Sequence, residues 1–174
     1  MSGFKVKISE SEVFPEVKIL KPDPFFDYRG EMWTFWEKDN EVLPIGHEWK
    51  ISKFTRSRKN VLRGLHFQKP PNAQGKLVQV IKGRAIDVAV DIRKNSPTYG
   101  AYFKVELNDI NRYQLWIPRG FAHGFVALED NTIFQYKVDN YYSREYERGI
   151  IYNDENLNIE WNFDLKNIIV SDKD

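Results

Sequence analysis

The strongest constraint on the fold is a two-residue rhythm. Between Lys76 and Ile92 the chain breaks at Gly83, and beyond it Ile86, Val88, Val90 and Ile92 alternate with Asp87, Ala89 and Asp91. Side chains two apart share a face only in an extended strand. The rhythm returns over Tyr102 to Leu107, and LWIP, FAHGFVAL and TIFQYKVDNYY follow with Gly and Asp-Asn breaks between them. No segment holds a 3.6-residue period long enough for a major helix, and there is no internal repeat. Short strands at regular spacing, separated by turn residues, predict an all-β antiparallel sandwich or barrel with few short helices. Upstream, Val13 to Phe35 reads as short strands joined at the Tyr28-Arg29-Gly30 turn. The polar stretch 36–50, with Pro44 and Gly46, reads as a loop or one short helix in which His47 is solvated. The tail after Tyr152 is polar around an apolar island at Ile168 to Val170, and it either docks on the body or frays.

The 174 residues suit a single domain with a proper core. Lys+Arg 26 against Asp+Glu 25 leaves a net charge of +1. A nucleic-acid or membrane-surface partner normally shows as a one-sided excess of charge, so neither is expected. No apolar run approaches the ~20 residues that cross a bilayer, and MSGFKVKISE lacks the apolar centre of a signal peptide, which predicts a cytoplasmic protein. Cysteine is absent, so thiolate chemistry and Cys-ligated metals are excluded. Chemistry has to come from His, Tyr, Lys, Arg and the acids.

The stretch Val61 to Gly83, VLRGLHFQKPPNAQGKLVQVIKG, carries the first candidates: His66 and Lys76 on either side of a Pro-Pro loop. Simple alternation puts His66 and Gln68 on one face with Leu62 and Gly64, so an imidazole points where a sheet would bury apolar groups. A core histidine with satisfied nitrogens is the bland alternative. Downstream, Pro118-x-Gly120-x-x-His123 resembles the second motif of the cupin jelly rolls, and His66-x-Gln68 resembles an altered first motif. Gln68 replaces a ligand histidine there, and Lys76 stands where a ligand glutamate would be. A cation in that position repels a divalent ion, which predicts a jelly roll without a metal. Tyr136 shares a strand face with Phe134 and Val138. A base, a cation and a phenol around one cavity suit proton transfer beside a carbonyl.

Five motifs in order point to one family: RGLHFQ (Arg63 to Gln68), AQGKLVQV (Ala73 to Val80), DVAVDIRKNSPTYG (Asp87 to Gly100), LWIPRGFAHGF (Leu115 to Phe125) and YKVDNYY (Tyr136 to Tyr142). Together they resemble the dTDP-4-dehydrorhamnose 3,5-epimerases. The resemblance implies a cofactor-free, cupin-like jelly-roll homodimer that epimerises a nucleotide-linked 4-keto-6-deoxy sugar for polysaccharide synthesis. It implies His66 as base, Tyr136 as acid, and Lys76, Arg63 and His123 as groups that hold substrate; Gln68 is a further candidate for substrate binding. Arg29 corresponds to an arginine near the nucleotide, Tyr142 to a ring stacked on the ligand, and Glu147 and Lys173 to further contacts. Asp174, or Asp172 in its stead, corresponds to the aspartate that hydrogen-bonds the base.

Two departures accompany the match. Ile51-Ser52-Lys53 stands where the family has Gln-Asp-Asn, and Thr34 where it has a glutamate. Both fall where the nucleotide is read, so the same chemistry on a different nucleotide sugar is expected, with a GDP-linked 4-keto hexose or heptose as the leading candidate and a dTDP-sugar beside it. The alternatives are epimerisation at C3 only, 3,4-ketoisomerisation, a metal-dependent cupin reaction, and a non-catalytic sugar-binding module.

Overall fold

A computed structural model describes residues 6–38 and 47–174. Its strands are β1 (Val6–Glu10), β2 (Lys18–Pro22), β3 (Phe25–Asp27), β4 (Gly30–Met32), β5 (Ile51–Ser57), β6 (Leu62–Gln68), β7 (Lys76–Lys82), β8 (Arg84–Asp91), β9 (Tyr102–Asn108), β10 (Gln114–Ile117), β11 (Phe121–Ala127), β12 (Thr132–Val138) and β13 (Glu147–Gly149). Among the described residues the helical content is a single 3₁₀ turn, Leu165–Asn167, and no helix is long and apolar enough to cross a membrane.

Two sheets face each other, one in the order β1-β2-β10-β7-β12-β5 and one in the order β13-β6-β11-β8-β9; β3 and β4 form a separate hairpin. Pairing within the sheets is antiparallel throughout. This is the cupin-like jelly roll that the strand rhythm and the motifs predict. Between the sheets lies a core that includes Val78, Val80, Leu115 and Phe134 from the first sheet and Ala89, Phe103, Leu107 and Phe125 from the second. Gly83 separates β7 from β8 at φ +84°, and an added Cβ would sit 2.6 Å from Thr132 Oγ1.

Alternation alone does not say which row of a strand faces inward. On β8 the bulky row Ile86, Val88 and Val90 packs outward, into a second apolar cluster with Trp161. Ala85 and Ala89 face the inter-sheet core. The tail covers that outward row, so β8 is buried on both faces. Trp161, 2% exposed, anchors the tail; burying a side chain of this size contributes on the order of 3 kcal/mol. Further on, Leu62 donates its N–H to Ile169 O and Ile169 donates to Asn60 O, both at 2.9 Å. The tail therefore docks rather than frays.

Two sequence expectations need correction. Leu62 does not share a face with His66: Leu62 and Leu65 pack in the outer cluster, whereas Arg63, His66 and Gln68 face the interior. The pairing of β6 with β11 shifts register here, and Gly64 has φ +131°. A Cβ on Gly64 would lie 2.5 Å from Gly124 Cα, so only glycine allows this close crossing. The irregularity adds one residue to the count and brings Arg63 onto the face of His66. Second, His47 is not solvated. Its ring packs edge-on against Trp49 and Trp116, and burial lowers its pKa. The flanking residues 39–46, which the loop-or-helix expectation also covers, lie outside the described residues.

Candidate active site

A cavity of about 440 Å³ opens between the sheets. Arg63, His66 and Gln68 reach it from β6 and His123 from β11; Lys76 and Tyr136 reach it from the facing sheet, on β7 and β12. Tyr142 and Glu147 line its mouth, and the tail adds Lys173 and Asp174. Of the site residues singled out in the sequence, Arg29 and the alternative aspartate Asp172 lie elsewhere.

His66 and His123 are register partners on adjacent strands. His66 Nε2 makes an ion-pair contact with the Asp174 carboxylate. That carboxylate is presented by a tight turn: Asp174 N–H donates to Ser171 O at 3.0 Å, and Ser171 Oγ donates to Asp174 Oδ2 at 2.7 Å. Asp172 is exposed. Burial lowers the His66 pKa below its ordinary value, and Asp174 works against the shift. Lys76 Nζ donates to His66 O at 3.5 Å. Burial brings its pKa down to about 8, opposed by the charges of Asp87 and Glu147. Burial raises Tyr136, so its phenol stays protonated over a wide range of pH.

At the mouth, Tyr142 Oη donates to Glu147 Oε2 at 2.9 Å and Lys173 Nζ donates to Oε1 at 3.3 Å. Burial works against ionisation of Glu147, but these two donors outweigh it and its pKa is lowered. Gln68 borders the cavity with its amide already engaged: Nε2 donates to Asn72 O and Tyr141 O, and Oε1 accepts from Ser143 N–H. It clamps the Pro-Pro loop to the 141–143 segment, which leaves it little to offer a ligand. Arg29 sits at the tip of the β3–β4 hairpin on Asp27, 73% exposed at its side chain. The hairpin is tethered to its own chain by the Glu31–Arg112 pair, and it does not border this cavity.

The structure also brings in residues that the sequence reading passed over. Asp87, on β8, has no exposed surface and sits 2.8 Å from His123 Nε2 through Oδ2. Its Oδ1 is buried without a partner. The available signal was an acid in the middle of a strand, flanked on both sides by Val, Ala and Ile. Phe125 and Phe134 stack at 4.0 Å with an interplanar angle of 5° and form an apolar wall of the cavity. Lys53 and Thr55 line its rim from β5.

An imidazole held by a carboxylate, an ammonium and a phenol around one cavity of a jelly roll define an acid–base isomerase. The profile of the dTDP-4-dehydrorhamnose 3,5-epimerases matches residues 11–174. The chain is 47% identical to the dTDP-4-dehydrorhamnose 3,5-epimerase of Shigella flexneri over 92% of its own length and 88% of that protein's. Against the crystal structure of dTDP-6-deoxy-D-glucose-3,5-epimerase from Legionella pneumophila, in complex with dTDP-4-keto-L-rhamnose, it superposes with a TM-score of 0.91 at 40% identity, covering 97% of this chain and 89% of that one. The Bacillus anthracis dTDP-4-dehydrorhamnose 3,5-epimerase, with TDP and pyrophosphate bound, gives 0.90 at 40% identity, covering 97% and 96%. The chain belongs to the dTDP-4-dehydrorhamnose 3,5-epimerase family.

Proposed function

We propose that this protein epimerises a dTDP-linked 4-keto-6-deoxy sugar at the carbons beside the ketone, without a metal or organic cofactor. His66, neutral at pH 7 and oriented by Asp174, takes the proton from the carbon next to the carbonyl. The C–H electron pair moves toward the ketone oxygen, and the ammonium of Lys76 stabilises the enolate. Tyr136 gives a proton back to the same carbon. The observation that carries this reading is that His66 and Tyr136 stand on opposing sheets and line the same cavity. A proton removed from one face and returned to the other inverts the carbon. The stacked Phe125 and Phe134 offer an apolar wall to the deoxy methyl group.

The relatives named above act on or bind dTDP compounds, which supports dTDP over GDP as the carrier nucleotide. A cytosolic location suits such a substrate. A homodimer is part of the same proposal. Phe25, Phe26, Tyr28 and Met32 on the β3–β4 hairpin are each more than 60% exposed, a surface that a second copy would cover. Arg29 at its tip would then meet nucleotide in the partner's cavity.

Incubation in D₂O with dTDP- and GDP-linked 4-keto-6-deoxy sugars, followed by NMR, tests the proposal. Deuterium at C3, C5 or both of the dTDP substrate is the expected result. Binding without exchange would replace the epimerase with a sugar-binding module, and preference for the GDP-sugar would reassign the nucleotide.

A further inference from the structure

Resting on the dTDP-sugar reading, we propose that Lys53 is a specificity-determining residue that contacts the diphosphate of the nucleoside-diphosphate sugar. Its place in the fold carries the argument. Lys53 and Thr55 point into the cavity from the edge strand β5, and Ser57 continues that row to a 3.2 Å hydrogen bond from Arg63 Nε. Lys53 is the register partner of Tyr136 on β12. Directly opposed residues on neighbouring antiparallel strands have Cβ atoms roughly 5 Å apart, so the lysine stem starts beside the phenol and extends toward the rim.

The charges around the cavity separate into two groups. Lys173 is held by Glu147, His66 by Asp174, and His123 by Asp87. Among the described residues Lys53, Arg63 and Lys76 have no carboxylate within ion-pair distance; Lys76 meets the His66 carbonyl, and the Lys53 ammonium lies 5.7 Å from the centroid of the Tyr142 ring. With Lys76 engaged at the His66 carbonyl, Lys53 and Arg63 are the two uncompensated cations left on the cavity wall between Tyr142, a half-exposed flat ring, and the His66–Tyr136 pair. A sugar at that pair and a nucleoside at the mouth leave the diphosphate along this wall. It is the one part of such a substrate that carries formal charge, and it needs cations that are free to meet it. Ser52 and Phe54, the neighbours of Lys53, are not part of the cavity wall, so among these three residues Lys53 is the one placed to act on the ligand.

Titration of wild-type protein, Lys53→Gln and Lys53→Arg with dTDP and with thymidine tests this, alongside steady-state kinetics. Lys53→Gln should bind dTDP about tenfold more weakly and thymidine unchanged, with KM raised by a similar factor and kcat within twofold. Lys53→Arg should retain most of the dTDP affinity, and added salt should shrink the difference between wild type and the glutamine variant. Equal affinity of wild type and Lys53→Gln for dTDP overturns the assignment. Equal losses toward dTDP and thymidine also overturn it, and place the lysine on the Tyr142 ring and the base instead. Wild-type protein that binds dTDP but exchanges no deuterium ends the epimerase reading while leaving the titration of Lys53 decisive. Wild-type protein that binds no dTDP ends both.

Discussion

Asp87 and Asp91 lie four residues apart on β8, on the same face and with no exposed surface, yet they are used in opposite ways. Asp91 is saturated. It accepts from Arg93 N–H and Nε at 2.9 Å, from Arg93 Nη2 at 2.8 Å, and from the hydroxyls of Ser96 and Thr98. Burial alone would raise its pKa, but these bonds hold it well below the ordinary carboxylate range. Asp87 meets one nitrogen of His123 and leaves Oδ1 without a partner beside a cavity that also holds Lys76. A buried carboxylate with every lone pair engaged stiffens a fold; one left partly open costs stability and is kept where a charge is needed. The NSPTYG turn, which carries Ser96 and Thr98, belongs to the first kind of site and the cavity to the second.

The contrast can be broken at its extremes. His66→Ala should reduce turnover by roughly 10³ to 10⁴-fold, the scale of a lost general base, with the melting temperature unchanged; a modest loss would remove His66 from the base role. Asp91→Asn should do the reverse. Breaking a buried ion pair costs roughly 3 to 5 kcal/mol, to be seen in urea denaturation, while activity per folded molecule stays near wild type. A drop in kcat comparable with that of the His66 variant would erase the distinction between the two regions.

Lys76 sharpens it through pH. Its folded pKa of about 8 lies below the ordinary 10.5, so between those values the unfolded chain binds more protons than the native one and stability rises with pH. The gain is about 3 kcal/mol across the window. Lys76→Met should flatten that slope in chemical denaturation at pH 8 to 10. The same titration removes the ammonium from the wild-type site, so kcat should fall above about pH 8; an alkaline limb unmoved in Lys76→Arg would assign it to another group.

Asp87→Asn gives the smallest effect and the most specific one. Removing the charge that supports the protonated Lys76 should lower kcat by roughly ten- to a hundredfold, the scale of one to two pH units of lost interaction energy. It should also shift the alkaline limb to lower pH, with stability little changed. A loss of stability as large as that of Asp91→Asn would make Asp87 another architectural carboxylate.

Much of the site could be read in the chain because strand alternation is local. Tyr136 with Phe134 and Val138, Lys76 at the start of its strand, and the motif around His123 all land where the two-residue rhythm puts them. His66 lines the cavity together with Gln68 as the alternation expects, but Leu62 does not share its face and Arg63 does, because the register shift at Gly64 depends on how closely Gly124 of another strand approaches. Asp87 looked like half of an ordinary alternation. Its role depends on which row of β8 the tail covers, a long-range fact. Arg29 shows what a single chain leaves out: it is held on Asp27, away from its own chain's cavity, so a contact with nucleotide needs a second copy.

By itself, then, the sequence determined the strand content, the turn positions and the residue types available for proton transfer, since each is set by neighbours along the chain. The tertiary structure decided which β8 row faces inward, which aspartate of the tail meets His66, and that His66 and Tyr136 stand on facing sheets. Those outcomes depend on strands distant in sequence meeting in a particular register, and burial, the lowered pKa of Lys76 and the open oxygen of Asp87 come into being only when they meet.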